Sequence, residues 1–232
     1  MVDYDIIQKK FIDKFKNSGY YPLLKGFLLS DDFINIFKNL EDEVNDGYRF
    51  TPPLKEVFNA FDLCHYDNIK IIMIGVEPYS QIGVADGLCF SCNAGSVVNN
   101  TTKFLLDEVN KTVYQMRKKA KKSVYEADLK RWSKQGILML PYPLTVEIDK
   151  YDTHKEIWHP MMSYVVDMLN NDKEYIWVFF GKKASVFNSF VDKDKHIKFF
   201  CTNPASAKYS ELNWSMILAS LSKNTLDITS GL

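Results

Sequence analysis

Two short segments carry residue types that could do chemistry. The first, GVEPYSQIGVADGL at residues 75–88, sets a carboxylate, Glu77, just past a continuous apolar run. Pro78, Tyr79 and a glycine-containing loop follow it. The second, TNPASAKY at residues 202–209, is rich in small residues whose backbone N–H groups and hydroxyls could grip a phosphate. Taken alone, each has a plain alternative: an acidic residue at a turn, and a simple turn. Cys89 and Cys92 form a C-x-x-C pair, but the surrounding GLCFSCN alternates as a buried strand does. A metal or redox role needs partners that this spacing does not supply, so small core residues are the simpler reading. His65, His154, His159 and His196 are scattered, and nothing resembles a metal-ligand cluster.

The elements that must position these segments alternate along the chain. Residues 4–16 and 31–46 have helical periodicity, the second opening on acidic residues that suit a helix N-terminus. A short helix is predicted over LKEVFNAFDLC at 54–64, after the turn at Thr51-Pro52-Pro53. IKIIMIG at 69–75 is a run rich in β-branched residues and of strand length, apolar apart from Lys70, as expected where both faces are covered. Further strands are predicted at 87–92, 136–141, 174–181 and 196–202. Helices are predicted at about 101–122, 125–135, 155–170, 182–191 and 210–222. Strands alternating with helices argue for an α/β class with a parallel sheet. Working sites of such sheets lie beyond the carboxyl ends of the strands. That rule selects the loops at 75–86, 141–154, 181–184 and 202–209.

Composition narrows the function. With 232 residues, 46% apolar, the chain suits one compact domain and excludes intrinsic disorder. Lys plus Arg and Asp plus Glu are equal at 29 each, which excludes a uniformly basic nucleic-acid binder. Any nucleic-acid contact must come from local patches or backbone donors. The basic run Arg117-Lys118-Lys119-Ala120-Lys121-Lys122 reads most simply as a solvated helix face. The N-terminus lacks the basic-then-apolar order of a signal peptide, and no apolar run reaches membrane-spanning length. Cys64, Cys89, Cys92 and Cys201 suit free thiols in a reducing compartment, so a cytoplasmic protein is expected.

Taken in order, these segments resemble the uracil-DNA glycosylase family. Residues 75–88 match the family's first motif, G-Q-D-P-Y-H-G-P-G-Q-A-H-G-L, without a gap. PPLKEVFNAFDLCHYDNIKIIMIG lies before it in the family's pattern. GLCFS, QGILMLPYPLTV, the Thr153-His154 pair, VFFGKKA and NPASA follow in the family's order and approximate spacing. The likeness covers roughly residues 20–228. It implies a single domain over 1–232, with an N-terminal helical segment to about 50 and an α/β core at about 51–228. The core would be a central four-stranded, mostly parallel sheet flanked by helices. The implied partner is DNA with a flipped nucleotide; no cofactor, no metal and no membrane are implied.

The resemblance also assigns roles and exposes departures. Glu77 stands where the family has an Asp that supports the attacking water and the cationic sugar. A carboxylate is kept, but an added methylene that displaces it by about 1 Å can cost around a hundredfold in rate. Asn203 replaces a His that donates to the departing base; a neutral amide is still a donor. Pro141 replaces the Asn that reads the polar edge of uracil, and proline has neither side-chain donor nor amide hydrogen. Val76 and Tyr142 are placed at the base pocket, Tyr79 at the wall against a 5-methyl group, and Phe90 under the base. His154 matches a family position near that pocket. Ser80, Thr101, Gly181, Lys182, Ser206, Ala207, Lys208 and Tyr209 are placed at the DNA. Ala207, at the apolar wedge position, is too small for that task, and Lys208 or Tyr209 could substitute.

The expectation is a monofunctional DNA glycosylase with water as nucleophile. It would release a damaged or modified base other than plain uracil, in repair or in attack on modified foreign DNA. The alternative is a catalytically inactive DNA-binding or scaffold protein that kept the fold.

Overall fold

The computed structural model describes residues 3–116 and 126–204. Three helices come first: α1 (Tyr4–Asn17), α2 (Tyr21–Leu28) and α3 (Asp31–Asn45). The Asp3 carboxylate accepts from the amides of Asp5 and Ile6, and Ser30 Oγ accepts from Phe33 N, so α1 and α3 both start on side-chain caps. Strand β1 (Phe50–Thr51) and α4 (Asn59–Leu63) lead into β2 (Ile71–Ile74). Next come α5 (Asn100–Met116), α6 (Lys130–Ser133), β3 (Ile137–Leu140) and β4 (Val146–Glu147). The described chain closes with α7 (Lys155–Asn171), β5 (Ile176–Phe180), α8 (Gly181–Ala184) and β6 (Ile197–Cys201).

The central sheet has four strands in the order β3-β2-β5-β6, all parallel. Ile74 pairs with Leu140 on one side and Phe179 on the other, so β2, β3 and β5 end level. Side chains alternate between faces with the strand period of two. Ile72, Ile74, Leu138, Leu140, Trp177 and Phe179 join the cluster built with α1–α4 and α7. Ile71, Met73, Ile137, Met139, Val178 and Phe180 join the cluster under α5 and α6. Both faces are therefore buried, which is why these strands are apolar without interruption. No described helix is long and apolar enough to cross a membrane.

Three expectations change. Residues 87–92 are not a strand: Cys89 N donates to Met139 O, Cys92 N donates to Ala127 O, and only an isolated bridge joins Ala85 to Cys92. The alternation there comes from a segment folded across the strand ends, with Phe90 in the left-handed region at φ 65°. Helix α2 stands where no helix was expected; Pro22 sits in its first turn, where the missing N–H is tolerated. The helix expected at 182–191 is α8 followed by a 3-10 turn at Ser185–Phe190. The expected helix at 210–222 lies outside the described residues.

Candidate active site

Strand β2 sits between the two later neighbours β3 and β5, so the chain's direction of travel across the sheet reverses around it. A crevice opens at such a switch point, beyond the carboxyl ends of the strands. Glu77 leaves β2 there, Lys183 leaves β5 on α8, and Asn203 follows β6. Two adjoining cavities, of about 270 and 570 Å³, share Val76, Glu77 and Asn203 in their walls.

Glu77 is the centre of the charge arrangement. Its side chain is 14% exposed, and Lys183 Nζ donates to its Oε2 at 2.8 Å. The same ammonium is 2.8 Å from Asp152 Oδ1, on the loop between β4 and α7. Lys183 thus ties the end of β5 to two other walls of the cleft. Burial pulls its pKa down, but the hydrogen bonds and charges of Asp152 and Glu77 outweigh this, and the net shift is upward. The bond to Lys183 correspondingly lowers the Asp152 pKa.

Asn203 stands against Gly181, whose positive φ of 75° suits glycine. A Cβ at Gly181 would lie 3.3 Å from Asn203 Cβ and 3.8 Å from Val76 Cγ1. Gly75 has a similar packing role at the end of β2. A Cβ there would fall 2.5 Å from Cys89 Cβ and 3.2 Å from Phe90 Cε2, so its absence lets the 89–90 segment lie on the strand end. Phe90 then packs edge-on against Phe180, with ring centroids 4.8 Å apart.

Tyr79 is fixed from outside the cleft. Its hydroxyl is 2.7 Å from Thr102 Oγ1, and Thr102 Oγ1 donates to Phe90 O at 2.5 Å. Burial is the main reason its phenol is pushed well above the usual tyrosine range. Asp86, fully buried, braces the same loop by accepting from Leu88 N and Ser91 Oγ; Ser91 Oγ in turn accepts from Leu129 N. Desolvation is the largest influence on the Asp86 carboxyl, and its pKa rises.

Of the residues singled out in the sequence, Val76, Glu77, Tyr79, Ser80, Phe90, Thr101 and Asn203 line the first cavity. Gly181 and Lys182 line the second. Among the described residues, Ser80 Oγ is buried without a hydrogen-bond partner. Pro141 is buried but lines neither cavity. Tyr142 is a correction: it continues the period of Leu138 and Leu140 onto the helical face, where its hydroxyl is 2.9 Å from His159 Nδ1 and its ring meets Phe187. Ser206, Ala207, Lys208, Tyr209 and the basic run at 117–122 lie outside the described residues.

Sequence reading missed Lys183, Asp152 and Tyr151. The VFFGKKA motif drew attention to Lys182, but the neighbouring lysine is the one that reaches Glu77. His154 belongs to the scaffold beside the cleft. Thr145 Oγ1 accepts from Trp158 Nε1 and lies 2.8 Å from His154 Nδ1. His154 Nε2 lies 2.7 Å from Glu43 Oε2. Burial pulls the His154 pKa down to about 4.

A parallel sheet with a carboxylate and an amide converging at its switch point defines the class: an α/β protein whose site lies beyond the carboxyl ends of its strands. No family model matches the sequence. Curated relatives do. Uracil-DNA glycosylase of Fusobacterium nucleatum is 30% identical over 228 residues, 91% of this chain and 95% of its own. That of Psychromonas ingrahamii is 31% identical over 199 residues, 85% of this chain and 84% of its own. Among solved structures, mimivirus uracil-DNA glycosylase superposes with a TM-score of 0.70 at 21% identity, over 80% of this chain and 67% of its own. The wild-type UNG of Nitratifractor salsuginis gives 0.62 at 13% identity, over 91% of this chain and 95% of its own. The chain belongs to the uracil-DNA glycosylase family, a group of hydrolases that act in base excision.

Proposed function

We propose that the protein is a monofunctional DNA glycosylase that extrudes a nucleotide and hydrolyses its N-glycosidic bond with water. The observation that carries this reading is the meeting of the Glu77 carboxylate and Asn203 in one cavity walled by Tyr79 and Phe90. Glu77 Oε2 is engaged by Lys183, so Oε1 is the oxygen that orients the water and faces positive charge growing on the sugar. Asn203 donates to the departing base. The held ammonium of Lys183 is a poor nucleophile, which supports water in that role.

The base is a small pyrimidine. Tyr79, held by its hydroxyl against Thr102 and lining the cavity, is the wall that would exclude a bulky 5-substituent, which favours uracil over its 5-hydroxymethyl relative. Pro141 offers the base no side-chain donor, so discrimination against other altered bases is relaxed. The names of the relatives support uracil as the first substrate to try. Access to DNA inside a cell is part of the same proposal.

A second reading, a DNA-binding scaffold without chemistry, is favoured by one observation: Lys183 offsets the Glu77 charge. Base release decides between them. Duplexes carrying uracil, 5-hydroxymethyluracil, 5-hydroxymethylcytosine with and without glucose, and common damaged bases are incubated with the protein, then cleaved by alkali. Release from uracil DNA is the expected result; silence across the panel with DNA binding intact supports the scaffold.

A further inference from the structure

Hydrolysis of an N-glycosidic bond builds positive charge on the sugar, and a carboxylate helps only as far as its own charge is not cancelled. Lys183 Nζ, 2.8 Å from Glu77 Oε2, would cancel it if the two groups stood alone. They do not, because Asp152 Oδ1 meets the same ammonium at 2.8 Å. We propose that Asp152 is a positioning residue for base release: it takes up the charge of Lys183, so that Glu77 is held in place and still faces the sugar as an anion. This rests on the glycosylase reading above and adds to it the group that keeps the site negative. Two carboxylates share one ammonium, which leaves a net negative charge beyond the end of β2. Against the pull of burial, the bonds to Asp152 and Glu77 raise the pKa of Lys183. The bond to Lys183 lowers that of Asp152, so both are charged at neutral pH.

The loop between β4 and α7 is fastened so that Asp152 stays at this position. Asp149 N donates to Ser80 O, on the segment that bears Glu77, and Glu147 N donates to Thr153 Oγ1 beside Asp152. The base of the loop is pinned by β4, which pairs with β1. Asp152 itself lies at φ 62°, in the left-handed region that Asp and Asn enter more readily than most residues. Lys155, which lines a separate cavity with Asp152, exerts a weaker pull on its carboxylate than Lys183 does. The side chain of Asp152 is 62% exposed and that of Glu77 14%, so water screens the outer pair more than the inner one. A duplex laid over the cleft displaces that water, and the hold of Asp152 on the ammonium then strengthens when base release needs it.

The test is Asp152→Asn, which keeps the size of the side chain and suits the same backbone conformation but removes the charge. Release of uracil from a duplex should show kcat lowered roughly tenfold with KM nearly unchanged. In a Lys183→Met background the same substitution should alter kcat by less than about twofold, because no ammonium is left to offset. A wild-type rate in Asp152→Asn overturns the proposal. So does a loss of equal size in both backgrounds, which marks a residue that only holds the loop. A second measurement needs no turnover: affinity for a duplex with a cationic pyrrolidine in place of one sugar, relative to a duplex with a neutral tetrahydrofuran there. The wild-type chain should favour the cation, and Asp152→Asn should lose roughly tenfold of that preference. An equal preference in the two chains overturns the proposal. A wild-type chain that releases no base, yet shows the preference and loses it on Asp152→Asn, sinks the glycosylase reading and leaves the role of Asp152 standing.

Discussion

Replacing Lys183 by methionine removes the ammonium set 2.8 Å from both Glu77 Oε2 and Asp152 Oδ1. At that separation each pair is worth about 6 kcal/mol of bare Coulomb energy at an effective dielectric near 20. Lys183 is 27% exposed and Asp152 62%, so solvent screening and desolvation reduce the net stabilisation to about 1 kcal/mol or less. The variant should therefore fold and melt nearly as wild type does. Activity should change far more. Glu77 has one rotatable bond more than an aspartate, and Lys183 is the side chain that fixes its carboxylate. Releasing it costs rotamer order and allows a drift of about 1 Å, which together lower kcat by roughly 10- to 100-fold. Single-turnover release of uracil from a duplex, followed over a range of protein concentrations, separates this from binding. KM should move little, and Lys183→Arg should recover most of the loss. An unchanged or increased kcat in Lys183→Met would refute the reasoning, because the ammonium would then cancel the carboxylate's field instead of positioning it.

Further outcomes follow from other contacts. Gly181→Ala puts a methyl 3.3 Å from Asn203 Cβ on a backbone at φ 75°, and should cost about 1 kcal/mol of stability and a larger fraction of kcat than of DNA affinity. Thermal melts and release kinetics on one preparation check both. Tyr79→Ala should admit 5-substituted pyrimidines, so that 5-hydroxymethyluracil is released at a rate at least roughly tenfold above wild type. His154 should make stability depend on pH. Its pKa is near 4 in the folded chain and 6.5 when unfolded, so the unfolded chain binds the proton first as pH falls. Its contribution is complete above pH 6.5 and is lost towards pH 4, by about 2–3 kcal/mol, and urea midpoints of wild type and His154→Gln should converge across that window.

The sheet was legible because both of its faces are covered. The runs IIMI, ILML and IWVFF within the segments at 69–75, 136–141 and 174–181 are apolar without interruption, and each is a strand of the parallel sheet. GLCFSC misled because alternation marks any segment whose side chains face two ways, and this one crosses the strand ends. Tyr142 was misplaced by one face, an error that strand parity corrects: it follows Leu138 and Leu140 into the helical side of the core. Glu77, Asn203, Tyr79 and Phe90 were found through motifs whose spacing is local. Lys183 was not, since it is 106 residues from Glu77 and only the β2–β5 pairing brings them together. Tyr151 reads as an ordinary loop residue until the cavity shows which way the loop faces.

Base release by Glu77→Gln bears most directly on the catalytic assignment. The amide keeps the size of the side chain but not the charge that orients water and balances the cationic sugar. Release from uracil DNA should fall by roughly 100- to 1000-fold while DNA affinity stays within a few-fold of wild type. Release at the wild-type rate would contradict the assignment of Glu77 as the catalytic carboxylate.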